Sequence, residues 1–520
     1  MSGPAHSPTM QPGLRRNMVT ICAMTATIMQ ALDTTIANVA LPYMQGSLSA
    51  SQDQINWVLT SYIVAAAIMT APVGWIANRF GRKRTFIICS AGFTVASVLC
   101  GVAQDINQMV LFRLLQGVFG AALVPLSQAV MLDAYALHER AKAMSIWGMG
   151  VMMGPIMGPS LGAWLTETYS WHWVFFVNLP FGFVTVLGLM AFMDETSQNS
   201  ELRFDWLGFG ALAIGIGALQ VALDRGEQLG WLESNEIIAE FIIAGVGFYY
   251  FFAHSFTTDR PFIQFALFKD KNFLGGCVFM TVMGLVLYST MALSSPYLQN
   301  VIGYPIITAG VLLASRGCGT FVAMMLVGRM MRFIEARTLI ISGLSITALS
   351  LFYMTAWTDQ TSATEIVTIS IVQGFGFGLV FVPLSTVSFL TLPSHLRTDG
   401  TSMLTLLRNV ASSIGISIVI AQLTEGSRRV YAILSEHINP FNHAMQMPDV
   451  SNLLNMHTDG GRALADVMVA LQAQIIAFSH DYQLVMMFIL GSIPLALMIG
   501  STKAALRAQA APSADHAVMD

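Results

Sequence analysis

The chain has 520 residues, 55% of them hydrophobic and only 10% charged, with a formal net charge of −4. A soluble domain carries about 25% charged residues, so a water-facing surface of this size is excluded, and lipid is the solvent this composition suits. The small net charge gives no nucleic-acid signal, and five cysteines in apolar stretches with no CxxC pair argue against a disulfide framework or a metal site, so that no cofactor and no metal is expected.

A bilayer core takes ~20 apolar residues per helix. The first run, near 18–40, follows Arg15 and Arg16 and contains Asp33. It is longer than a signal-peptide core and lacks an A-x-A-like end, so it reads as a spanning helix. The second and third runs, 56–77 and 85–104, are joined by the cationic turn RFGRKRT at 79–85. The fourth, 108–131, carries Arg113, then QG at 116–117 and VPLS at 124–127. In the fifth, 142–165, Gly150, Gly154, Gly158 and Gly162 recur every four residues. That spacing lays a smooth stripe along one face, where another backbone can approach closely. Pro155 and Pro159 each remove a backbone donor and can bend the helix.

Runs at 173–193, 206–223 and 236–256 follow, then 274–297, 307–330, 338–357 and 365–390. The tenth carries Arg316 near its middle, and the twelfth repeats QG at 373–374 and VPLS at 382–385. The glycines at 374, 376 and 378 lie inside an apolar helix with no strand before them, so they read as packing and not as a nucleotide loop. The thirteenth run, 403–423, holds Arg408 in its inner half. The segment 424–482 is polar through 462 and then helix-like, with Val467, Val469, Leu471 and Ile475 as apolar positions. A fourteenth run, 483–502, precedes a tail at 503–520.

Lys and Arg orient these runs. Eighteen fall in segments assigned inside, and only Arg225, Arg428, Arg429 and Arg462 fall outside. Cytoplasmic loops are where such residues collect, which predicts cytoplasmic termini and an even number of spans. The chain also repeats itself. RFIEART at 332–338 answers RFGRKRT at an offset of 253, and the QG and VPLS pairs recur at 257 and 258. Each VPLS is followed by His-x-Arg, first His138 and Arg140, then His395 and Arg397. Parallel six-helix repeats are expected, since both Arg-Phe loops fall on one side. The boundaries are 1–17 for the N-terminus, 18–193 for the first bundle, 194–272 for linkers and two inserted helices, 273–502 for the second bundle with its loop 424–482, and 503–520 for the tail.

The stretch GWIANRFGRKR, from Gly74 through Asn78, Arg79, Gly81 and Arg82 to Arg84, resembles the signature loop of the major facilitator superfamily. The family's Asp is Asn78 here. GVMMGPIMGPSLG at 150–162 resembles the antiporter motif of proton-driven drug exporters. LDTTIANVALP at 32–42 and WHWVFFVNLPFG at 171–182 resemble the fourteen-helix drug:proton antiporter branch, the EmrB-type exporters. The resemblance implies an all-α membrane protein with the major facilitator fold, two six-helix repeats plus two inserted helices, fourteen transmembrane helices in all. It also implies a proton-coupled antiporter that exports small amphipathic compounds across a bacterial inner membrane by alternating access. A periplasmic adaptor and an outer-membrane channel are its expected partners, with 424–482 as a docking surface. The signature loop then reads either as a positive-inside anchor or as a latch, in which Asp133 accepts from Arg79 or Arg82. The fifth helix would seal the path against proton leak.

Ionisable groups at membrane depth are functional suspects by default. At ~1.5 Å per residue, Asp33 and Arg113 both lie roughly 8–12 Å below the outer surface, level enough to pair. Asp33 reads either as half of a permanent ion pair or as a proton carrier. The repeat equivalent of Arg113 is Ser370, so Arg113 breaks the symmetry of the halves. Arg316 and Arg408 are candidates for the substrate cavity, and their excess of positive charge favours neutral or anionic amphiphiles. No Gly-x-x-x-x-Gly-Lys-Ser/Thr motif is present, which fits gradient-driven transport. Two other readings stay open: a proton-coupled importer, and a membrane-embedded enzyme. The second lacks a His-Glu-x-x-His constellation and the repeat argues against it, so no enzymatic activity is expected.

Overall fold

The computed structural model describes Met10 and residues 13–498, apart from 197, 259–260 and most of 440–457. The tail expected at 503–520 lies outside the described residues. A helix stands at each of the fourteen predicted runs. The N-terminal half comprises α1 (Leu14–Ser47), α2 (Gln52–Thr70), α3 (Val73–Phe80), α4 (Arg82–Gly101), α5 (Ile106–Gly120), α6 (Leu123–Ala134), α7 (Arg140–Thr168), α8 (Trp173–Phe176) and α9 (Asn178–Phe192). The inserted pair is α10 (Trp206–Leu229) and α11 (Asn235–Thr257). The C-terminal half comprises α12 (Lys271–Pro296), α13 (Ile306–Met330), α14 (Ala336–Met354), α15 (Ala363–Val387), α16 (Arg397–Glu436) and α17 (Asp459–Ser492).

Prolines explain why some predicted runs are interrupted. Proline has no N–H to donate to the preceding turn. The second run breaks ahead of Val73, at Pro72, and α2 and α3 meet at 55°. The fourth run pauses at 121–122, where Pro125 cannot donate to Ala121, and the sixth at Val177, ahead of Pro180. Polar residues cap the helices at their ends. Ser51 and Gln54 form a capping box at α2, and the Asp105 and Asp270 side chains accept from the first backbone N–H groups of α5 and α12. Such caps satisfy orphan donors where a helix enters the bilayer.

Among the described residues, twelve helices are long and apolar enough to cross a membrane, and the bent α2–α3 pair makes a thirteenth. The count of fourteen rests on α7, whose 29 residues include glycines and prolines that dilute its hydropathy. The last run starts much earlier than expected. α16 continues to Glu436 and α17 begins at Asp459, capped by the Thr458 side chain. Much of 424–482 is therefore two helical extensions tied by a Tyr431–Asp466 hydrogen bond. The helix-like part expected after 462 belongs to α17, and polar residues concealed only how far α16 runs on past 423.

The packing repeats between the halves. α1 lies on α7 and α9, as α12 lies on α16 and α17. α5 lies on α2 and α4, as α15 lies on α13 and α14. The two halves meet mainly where α7 packs on α13 and α15, and where α16 packs on α2, α3 and α6. One buried cluster crosses that boundary, joining Met144, Trp147 and Val151 to Met324, Val327 and Phe381. Trp147 and Phe381 stack with centroids 5.8 Å apart. The inserted α10 touches both α2 and α16, along the seam between the halves.

Candidate functional site

The polar residues of the N-terminal half converge on Asp33. Arg113 Nη1 donates to Asp33 Oδ2 at 2.8 Å, Gln116 Nε2 to Oδ1 at 2.8 Å, and Asn178 Nδ2 to Oδ1 at 3.1 Å. Asp33, Gln116 and Asn178 are fully buried and Arg113 is 1% exposed. Arg113 also donates from Nε to the Val58 carbonyl at 3.1 Å, and its guanidinium lies 4.3 Å from the Tyr62 ring centroid. Helices α1, α2, α5 and α9 thus contribute to one closed node. A buried ion pair of this kind holds only if further hydrogen bonds satisfy its remaining polar atoms, and they do so here. The sequence pointed to Asp33 and Arg113. It did not point to Gln116 or Asn178 as partners, although both sit in stretches singled out above, the QG repeat and the 171–182 motif.

Directly behind Asp33 runs the glycine stripe of α7. A Cβ at Gly154 would overlap the Ala31 backbone carbonyl, and one at Gly158 would overlap the Thr35 side chain. At Gly162 it would lie 2.9 Å from the Ile36 carbonyl oxygen, and at Gly150 2.9 Å from the flexible end of Met24. Thr35 Oγ1 donates to the Gly154 carbonyl at 3.0 Å. α7 therefore grips the helix that carries Asp33, backbone against backbone. Its other face meets α13, where a Cβ at Gly317 would overlap Ile156 and one at Gly310 would sit beside Pro159. Pro155 lies within the same helix.

A second charged cluster closes one end of the molecule. Asp133, at the end of α6, pairs with Arg82 of its own half and with Arg397 of the other. Arg82 Nη2 also donates to the Ser394 carbonyl at 3.3 Å. Asn78 Nδ2 donates to Asp399 Oδ2 at 3.2 Å, and a Cβ at Gly74 would overlap the Asp399 carboxylate. Of the two donors expected for Asp133, Arg82 reaches it. Arg79 instead donates to the Leu202 carbonyl at 3.1 Å. Gly81 turns the chain with a φ of +93°, a left-handed conformation suited to glycine. The N–H groups of Lys83 and Arg84 that follow both donate to Glu195 at 3.1 Å.

The asparagine at 78 has a local reason. An aspartate there would set two carboxylates about where the amide now donates. Asn78→Asp is expected to weaken the contact between the halves by ~1 kcal/mol, a roughly fivefold shift in the closed population. Distances between spin labels on α3 and α16 measure that population; an unchanged distribution would contradict the assignment.

Two cations of the C-terminal half stand apart from these clusters. Arg316 is 6% exposed, and its Nη2 donates to Ser294 Oγ at 3.3 Å while Nε has no partner. Arg408 Nε is buried without a partner. Among the described residues neither guanidinium has an ion pair. Arg408 lines a nearly closed crevice between the halves, with a free volume of only about 10 Å³, together with Val151, Met152, Met283, Tyr288, Met324, Phe377 and Phe381. Unbranched, polarisable methionines suit adaptable apolar contact. Arg316 is not among the residues lining that cavity, so the structure separates the two arginines that the sequence grouped. Among the described residues no cluster of potential metal ligands occurs.

Residues 23–416 match the family model described as Major Facilitator Superfamily. The chain is 35% identical to the Multidrug export protein EmrB of Escherichia coli (strain K12), over 83% of this chain and 84% of that protein. It is 32% identical to the Fatty acid resistance protein FarB of Neisseria gonorrhoeae, over 82% of this chain and 84% of that one. Among solved structures it is similar in fold to the proton:xylose symporter XylE, with a TM-score of 0.57, 14% identity, and coverage of 92% and 96% of the two chains. The human organic anion transporter MFSD10 gives a TM-score of 0.57 at 12% identity, covering 92% and 100%.

Proposed function

Because the chain belongs to the Major Facilitator Superfamily and to its EmrB-like multidrug exporters, we propose that it expels small amphipathic compounds in exchange for protons by alternating access. The observation that carries this reading is the one-ended clamp. Asp133 and Asp399 tie the two repeats together at the end bearing the Arg-rich turn. With that turn facing the cytoplasm, the latch shuts the inner end, and proton exchange in this conformation is with the outside. Breaking it opens the cavity of Arg408 to the cytoplasm or inner leaflet. We assign the proton-coupling role to Asp33 with Arg113, the latch to Gly74, Asn78, Arg79, Gly81, Arg82 and Asp133, and the leak-proof seam to Gly150, Gly154, Pro155, Gly158, Pro159 and Gly162. The chain crosses the membrane many times. Its place in a bacterial inner membrane, with both termini cytoplasmic and α7 as the fourteenth span, completes this reading, with bundles at 18–193 and 273–502 and the linkers with their inserted pair at 194–272.

Cells expressing the chain should hold less of a fluorescent amphiphile than cells without it, and an uncoupler should erase the difference. Equal accumulation with and without the chain would sink the exporter reading.

The unpaired cations supply the substrate preference. Arg408 is half-buried and its Nε lies buried without a partner; such an unpaired group is costly, and a carboxylate or other anionic head on the substrate offsets that cost. Neutral or anionic amphiphiles are therefore favoured over organic cations. Arg408→Gln is expected to weaken transport of an amphipathic acid roughly tenfold or more, the worth of one charge-assisted hydrogen bond, and to leave a cationic dye untouched. Equal losses for both probes would contradict the assignment.

The helical extensions of α16 and α17 are the proposed docking surface for a periplasmic adaptor that leads to an outer-membrane channel. Ile433, Leu464, Val467 and Met468 are exposed there, more apolar surface than a freely solvated hairpin needs.

A further inference from the structure

We propose that Asp481 is a second proton-binding site, built into the C-terminal half and loaded in the conformation described here. The proposal rests on the proton-coupled reading above and adds a carboxyl to it. Asp481 lies on α17 and is fully buried, yet among the described residues neither Oδ1 nor Oδ2 has a hydrogen-bond partner and no cation pairs with it. The contrast with Asp33 is sharp, since that carboxylate is equally buried but receives three N–H donors, one from an arginine. Burying an isolated carboxylate costs several kcal/mol that nothing around Asp481 offsets. The group is therefore the neutral acid, with a proton on one oxygen.

Its position suits proton exchange with the outer side. Ser479 Oγ donates to the Thr355 carbonyl at 2.7 Å, and the Tyr482 ring lies 5.8 Å from Trp357. Asp481 thus sits level with the end of α14, where the chain turns back toward α15. Inward of it, fully buried Tyr482 stands beside Ser294 and Arg316, and Ser294 accepts from Arg316. A line of polar groups leads from the acid to a buried cation that lacks a counter-ion. In this conformation the two do not meet. A rearrangement that brings Arg316 toward Asp481 makes the ionised form tolerable, and the proton leaves the carboxyl oxygen for water on the side then open.

Repeat symmetry places the site sensibly. α17 occupies in its half the place of α9 in the other, and α9 supplies Asn178 to Asp33. Charged and titratable groups carried by this part of α17 and by the elements around it include His480 and Tyr482 on α17, Glu425 on α16, Tyr353 at the end of α14, Tyr297 on the turn after α12, and Arg316 on α13, of which Tyr297 and Arg316 lie beside Tyr482. None of them makes a hydrogen bond or ion pair with Asp481.

The test uses the purified full chain in lipid nanodiscs and in proteoliposomes. Infrared difference spectra across a pH titration should show a protonated-carboxyl C=O stretch that Asp481→Asn removes and Asp33→Asn keeps. In proteoliposomes, the voltage at which substrate flux reverses should report one proton fewer per exported molecule in Asp481→Asn than in the wild type. Asparagine matches the neutral acid in shape, so the variant should fold. Should it not, Asp481→Glu must keep the band at a shifted position. A band unchanged in Asp481→Asn, or a band lost with no change in reversal voltage, overturns the proposal. If the wild type moves no protons with substrate, the antiporter reading fails instead, and the infrared band still decides whether Asp481 holds a proton.

Discussion

Asp33→Asn is expected to remove one proton's share of uphill export while sparing exchange of substrate at equilibrium. Asp33 is enclosed by Arg113, Gln116 and Asn178 with no exposure to solvent, so a proton reaches it only if one of these donors lets go. That event is what a change of conformation supplies, and it ties protonation to the position of α1 against α5 and α9. One charge crossing 100 mV is worth ~2.3 kcal/mol, a gradient of roughly 40-fold. With asparagine in place the gradient should fall by that factor. The substitution also strips Arg113 of its counter-ion. Removing one partner of a buried pair costs about 3–5 kcal/mol, reduced here because Val58, Gln116 and the Tyr62 ring still face the guanidinium. Thermal unfolding in detergent should therefore drop as well. The two readings of Asp33 separate on this pair of measurements. A permanent structural pair predicts lower stability with the gradient kept, whereas a carrier predicts a gradient reduced by that factor in the folded fraction.

Gly154→Ala should be the most damaging alanine in the stripe of α7. Its new methyl group meets the backbone of Ala31, which cannot rotate away. Overpacking of a tight core costs about 1–3 kcal/mol, and here it pushes α7 off the helix that carries Asp33. Gly150→Ala should be nearly silent, because the atoms in its way are the far end of Met24. Gly158→Ala lies between, since Thr35 can turn but would lose its bond to the Gly154 carbonyl. Melting temperatures of the purified variants and passive proton leak into liposomes should follow that order. Equal effects at 150 and 154 would show that the stripe is not a backbone contact.

How far the sequence was legible depended on the physics of each feature. Apolar runs were readable because lipid demands length and leaves little choice of residue, and helical segments stand where those runs lie. Asp33 and Arg113 could be matched by depth alone, since charges inside a bilayer are rare. Gln116, Asn178 and Ser97, which complete and support the node, are neutral polar residues of a kind that recurs along the chain, and nothing in their spacing sets them apart. The partners of Asp133 and Asn78 in the other half, Arg397 and Asp399, could not be foreseen because they depend on how two bundles meet. The His-x-Arg repeat had already marked Arg397 without indicating its partner. Asp481 escaped for a different reason. The stretch from 463 to 482 read as the helix-like part of an outer, water-facing segment, whereas it belongs to α17, which starts at Asp459 and buries this acid.

The most direct test of the account is proton movement driven by substrate. Everted membrane vesicles carrying the chain are energised to an acid interior, reported by a pH-sensitive dye, and amphiphiles of either charge are added. Proton-coupled export predicts that an amphipathic acid or neutral compound collapses the gradient only in vesicles that contain the chain. A gradient that holds against every compound, in vesicles where the protein is present and folded, would contradict it.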